Sequence, residues 1–195
     1  MAITYPLATP TSIGIESIEI RAANAVAISQ SPFTYKQQVI AHQGQSWSAS
    51  VTIAPSHREL AAPWKAMLLA LKGQVGTFLL GDPDYATPRG TVSVCNITGL
   101  AGADSVSVAL VGSLLAGDYI QLGAGSSARL HQVLEDQTGN GTLEIWPKLR
   151  ANYTSSAATF NSPKGVFRLA SGTTAYSINS TSLYGISFDA VEAIT

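Results

Sequence analysis

The sequence predicts a mainly β protein with one α-helix, in which a first domain is interrupted by a small all-β, barrel-like unit. Three observations carry this. Residues 46–53 alternate without exception, Trp47, Ala49, Val51 and Ile53 against Ser46, Ser48, Ser50 and Thr52, the period-two signature of a strand with one buried face. The stretch 56–72 has helical spacing. From Gly90 to Pro147, short strand candidates follow one another at glycine turns with no helix pattern.

In chain order, residues 1–12 carry two prolines and read as an extended lead-in arm, which stays disordered unless it docks. Ile13 to Arg21 reads as a strand and Asn24 to Ser29 as a second. Ser31 to Pro55 reads as one long hairpin, with a first arm through Phe33, Tyr35, Gln37, Val39 and Ala41. Its turn falls at His42-Gln43-Gly44-Gln45, where Gly44 can take a positive φ. Ser56 and Glu59 match a capping box, and Leu60, Trp64, Met67, Leu68 and Leu71 give the helix one apolar stripe ending at Gly73. Pro63 predicts a kink or restart near 62–63. Gly76 to Asp82 reads as a short buried strand ending in a turn.

The turn-forming cluster Asp82 to Gly90 marks a domain boundary. Beyond it come Thr91–Ile97, Ser105–Leu110, Asp118–Leu122, Arg129–Glu135 and Thr142–Trp146 as strands. Residues 151–195, with strands at Ala158–Phe160, Gly165–Ala170, Ala175–Asn179 and Gly185–Ala193, are too few to hold a core alone. They complete the first sheet. The expected domains are therefore 1–88 with 151–195, and 89–150 as the insert.

Charged residues make up 12% of the 195, about half the usual share, and 22 Ser and 17 Thr fill the deficit. Such a surface either meets other subunits or is the hydroxyl-covered exterior of a β-rich domain. A net charge of −1 with no block of like charges argues against nucleic acid as the main partner. The single Cys95 excludes an internal disulfide and reads as a small buried apolar residue. Met1 to Pro10 has no basic start or apolar run, no stretch approaches the ~20 apolar residues of a membrane span, and the Asn-x-Thr matches are chance. A soluble chain made in the cytoplasm is expected.

Chemistry-bearing patterns are sparse. His42, His57 and His131 belong to no metal-ligand spacing and read as surface or interface histidines. There is no nucleophile elbow or P-loop, and Gly123-Ala124-Gly125 is a turn. Asp82 and Asp84 are turn makers, although a glycosidase pair distant in sequence stays open. Phe33, Tyr35 and Trp47 read as the inward face of a sheet, with a sugar platform as the rival reading.

Several motifs then occur in a fixed order. Ser31-Pro32-Phe33-Thr34-Tyr35-Lys36-Gln37-Gln38 is followed by the His42 turn, Trp47, the helix with Trp64, and Gly76-Thr77-Phe78 with Gly81-Asp82-Pro83. Later come Gly117-Asp118-Tyr119-Ile120, Arg129-Leu130-His131, Ile145-Trp146-Pro147 with Leu149-Arg150, Phe167-Arg168-Leu169, and Ser187-Phe188 with Val191-Glu192. Taken together, and over nearly the whole chain, this resembles the distal tail protein family, tail-tip structural proteins of long-tailed bacteriophages. The resemblance implies a tail-tube-like β-sandwich with a flanking helix, in a homohexameric ring at the virion tail tip. Such a ring joins the tail-tube protein to the hub and to host-recognition components. It implies no catalytic residues, no cofactor and no metal; DNA passes only through the lumen, and no membrane is entered.

In such a ring the hairpin would pair edge to edge with the next subunit, and its uncharged face would border the lumen. The candidate interface or lumen residues are Lys36, Gln38, His42, Ser46, Ser48 and Ser50. A tail-tube protein is the alternative within the class, separated by copy number. A carbohydrate-binding module is the alternative outside it, and would need exposed rings in the insert, where Tyr119 and Trp146 are the only ones. A glycan hydrolase comes third.

Overall fold

The computed structural model describes residues 3–194. Met1, Ala2 and Thr195, the outermost residues of the expected arm and first domain, lie outside them. The chain forms β1 (Ile15–Gln30), β2 (Gln37–Ser56), α1 (Arg58–Ala70) and β3 (Phe78–Leu80). It continues through β4 (Val94–Gly99), β5 (Ser105–Val111), β6 (Ser113–Leu114), β7 (Tyr119–Leu122), β8 (Arg129–Val133), β9 (Gln137–Thr138) and β10 (Gly141–Trp146). It closes with β11 (Tyr153–Ala157), β12 (Gly165–Leu169), β13 (Tyr176–Ile178) and β14 (Tyr184–Glu192).

The fold is mainly β, with one α-helix among the described residues. A first antiparallel sheet runs β1-β2-β14-β12-β3, with β13 beside β14, and so draws on both ends of the chain. A second runs β11-β4-β5-β10-β8-β7, and β6 pairs with β9 alone. The second sheet thus takes in β11, past residue 150.

The hairpin differs from its expected form. β2 is one continuous strand, and its partner is β1, which also merges the two strands expected within 13–29. The turn lies at 31–36: Tyr35 N–H donates to the Ser31 carbonyl at 2.9 Å, and Ser31 N–H to the Lys36 carbonyl at 3.0 Å. Pro32 explains the choice, since it has no N–H to give to a ladder. His42 to Gly44 instead bulge against Ala25, because the register passes from Asn24↔Gln45 to Val26↔Ala41. Gly44 serves close approach here and not a turn: a Cβ on it would stand 3.1 Å from the Ala25 Cβ.

The helix also begins differently. Ser56 is buried as the last residue of β2, so the capping box does not form, and His57 is the N-cap without a side-chain bond. Pro63 lies inside one continuous helix. It sits on the exposed side, where water can satisfy the carbonyl that it leaves unpaired. Trp64, Met67 and Leu68 are buried as expected, with Leu71 just beyond, whereas Leu60 faces outward and Ala61 takes its place. The lead-in arm docks: Leu7 bridges Phe78 in parallel and covers the free edge of β3. Ala158–Phe160 forms no strand: Thr159 bridges Gln121, and Ala158 N–H donates to the Cys95 carbonyl at 2.8 Å.

Two cores result. The first gathers Trp47, Ala49, Val51, Ile53, Trp64 and Phe167 between the first sheet and α1. The second gathers Ile97, Val108, Ile120, Leu143 and Ile145 within the second sheet. Gly112, at φ +98°, begins the turn into β6, and a Cβ there would stand 2.2 Å from the Thr91 carbonyl oxygen. Gly112→Ala is expected to cost about 2 kcal/mol or more, read as a fall of roughly 4–8 °C in Tm.

Candidate functional site

The six residues singled out from the sequence separate into two groups. Ser46, Ser48 and Ser50 share one face of β2, opposite buried Trp47, Ala49 and Val51. On one side they meet Ala23, Arg21 and Glu19 of β1; on the other, Ser48 and Ser50 meet Val191 and Asp189 of β14. Ser50 Oγ–H donates to Asp189 Oδ1 at 2.5 Å, and Arg21 pairs with Glu19 at 2.7 Å. The hydrogen bonds donated by Arg21, and then its charge, hold the exposed Glu19 carboxyl below its ordinary range. The face is a hydroxyl strip bordered by two carboxylates, Glu19 and Asp189, against two arginines, Arg21 and, paired with Val191, Arg168.

Lys36, Gln38 and His42 lie elsewhere, on the part of the hairpin that projects beyond β14, whose pairing with β2 reaches no further than Ser48. Residues 25–44 therefore form a two-stranded arm. It is exposed on both faces except at Ser31, which is half-buried. The arm carries Val26, Ile28, Val39 and Ile40 as exposed apolar side chains, and its tip holds Phe33 at 92% and Tyr35 at 74% exposure. The inward orientation expected of Phe33 and Tyr35 is thus corrected; Trp47 alone of the three is buried. A sequence signal for the arm was present: from Ala22 to Gln45, Lys36 is the only Lys, Arg, Asp or Glu.

The arm is rooted where the two sheets meet. Trp47 Nε1–H donates to the Leu130 carbonyl at 2.9 Å, and its ring lies edge-on to Trp146 with centroids 4.3 Å apart. Trp47 N–H donates to Glu192 Oε2 at 3.1 Å, and Arg150 pairs with the same carboxylate at 3.0 Å. Glu192 and Arg150 are 3% and 16% exposed, so this ion pair links the chain after β10 to the end of β14 away from bulk water. A further tie runs through Asp118, wholly buried, which accepts from the backbone N–H groups of Arg89, Gly90 and Leu115.

His131, expected at a surface or interface, is fully buried on β8, because the alternation that aims Val133 inward aims it inward too. Its Nδ1 lies 2.7 Å from the Pro147 carbonyl and so carries the proton. Burial drives its pKa down to about 4; the Pro147 bond opposes this, and Arg150 and Arg129 reinforce it. Cys95 is buried, which pushes its thiol up to about 11. Asp82 Oδ1 accepts from Asp84 N–H at 3.0 Å, closing a turn. A surface groove of about 410 Å³ beside α1 has Glu59 as its single lining carboxylate. Among the described residues, no three His, Cys, Asp or Glu side chains are grouped to hold a metal ion. No helix there is long and apolar enough to cross a membrane.

Comparison of the chain with protein-family models and with curated proteins finds no match.

Unfolded His131 titrates near 6.5 and the buried ring near 4, so between these values the unfolded chain binds more protons. Its contribution is whole above pH 6.5 and is lost as pH falls toward 4, on the order of 3 kcal/mol at most. Denaturant unfolding across that window should show this slope, and His131→Gln should flatten it.

Proposed function

We propose that this chain is a structural, non-enzymatic protein that forms a ring of identical copies at a bacteriophage tail tip, joining tail tube to hub. The observation that carries the reading is the 25–44 arm. A two-stranded ribbon exposing this much apolar surface is at best marginally stable in water, and a contiguous apolar patch of that kind marks a contact with another protein. The order of motifs shared with distal tail proteins supplies the biological setting. On this reading the first sheet and α1 are the tail-tube-like sandwich, and the second sheet is the inserted domain.

The hairpin has two different free edges, β1 along its outer side and the distal half of β2. β1 carries no charge or proline from Ala22 to Gln30, so nothing blunts that edge. Pairing the distal β2 edge of one copy with the β1 edge of the next is a head-to-tail contact, which builds a ring when the rotation between copies closes and a filament when it does not. Ser46, Ser48 and Ser50 then border the lumen, where a hydroxyl lining with balanced charge passes DNA without gripping its phosphates. The carbohydrate-binding alternative is less favoured, because Tyr119 and Trp146 are half-buried against Trp47.

Light scattering should find a species near six times the 20.3-kDa chain, at least at high concentration. Ile28→Lys with Val39→Lys should return it to monomer with the Tm of the dilute, monomeric parent. A parent that stays monomeric at every concentration and in the presence of a tail-tube ring overturns the reading, as does a ring with Ser46, Ser48 and Ser50 on its outer surface.

A further inference from the structure

The arm leaves the body at a single rung, Asn24 opposite Gln45. That rung is held from outside its own sheet. Trp146 Nε1–H donates to Asn24 Oδ1 at 2.8 Å, an oxygen that also accepts from Gln45 Nε2 at 3.2 Å. Lys148 N–H donates to Gln45 Oε1 at 2.8 Å, and the Arg150 guanidinium donates to the Gln45 carbonyl oxygen. Three acceptors of one rung are thus taken by residues 146–150, the chain leaving β10 of the second sheet. Directly outward lies the 42–44 bulge, and bulges bend and twist the strand that carries them.

Asn24 is exposed and Gln45 half-buried. Without these bonds water would satisfy both side chains, so their contribution to folding is small. Their effect is directional: a two-stranded ribbon with a bulge at its root has little else to set its angle. We propose that residues 146–150 are a positioning clamp that fixes the direction in which the arm leaves the body, and so couple the arm to the seating of the second sheet. The consequence for assembly rests on the ring reading above; the clamp itself is a property of the single chain.

The test is a distance between spin labels on Thr34→Cys at the tip and Ser107→Cys on the exposed face of β5, measured by pulsed resonance on dilute monomer. Cys95 is buried and stays unlabelled. The parent should give one narrow distance. Gln45→Ala with Trp146→Phe should widen it at least twofold while Tm stays within a few degrees. Should that pair fail to fold, Trp146→Phe alone keeps a ring against Trp47 and removes the N–H, and the same widening is expected. Equal widths in parent and variant, or a parent already broad, overturn the clamp. Widening in a chain that never self-associates leaves the clamp standing and ends the ring reading.

Discussion

Burying Trp47 requires two sheets at once. Its ring needs Trp146 and Tyr119, which the second sheet provides, and its backbone N–H needs the Glu192 carboxylate at the end of β14. A buried carboxylate in turn needs a cation, and Arg150 supplies it from the chain leaving β10. One side chain thereby fixes where the second sheet sits, how the chain returns to complete the first, and from which rung the hairpin runs free. The first core, the junction and the arm are successive segments of β2.

Much of this was legible because period-two alternation is local. Residues 46–53 read correctly as a half-buried strand, and five strand candidates between 91 and 146 correspond to β4, β5, β7, β8 and β10. The misplaced turn has an equally local cause. Gly44 looks like a turn glycine, yet bulges and turns use the same residue, and only the pairing partner distinguishes them. That partner, β1, is set by a register that no spacing in the sequence records. His131 illustrates the opposite failure: its residue type argued for the surface while its alternation argued for the core, and alternation won. The junction was not legible at all, since Trp47 and Glu192 are 145 residues apart.

The scarcity of charge has two different structural expressions. On the sheet face it is a row of serines whose few charged neighbours cancel, Arg21 with Glu19 foremost. On the arm it is an apolar ribbon with a single lysine at its tip. Composition alone gave the two alternatives of a hydroxyl-covered exterior and a surface made for other subunits. The sheet face fits the first description, and under the proposed ring the arm fits the second.

The bulge at 42–44 separates those stretches in a way that bears on how such a chain can change over time. Three residues stand against one there, an offset of two that keeps the period-two phase, and the core residues of β2 all pair on the body side of it. Rungs gained or lost in matched pairs beyond it leave Trp47, Ala49, Val51 and Ile53 facing inward. The reach of the arm is therefore a length that can change without refolding anything behind it.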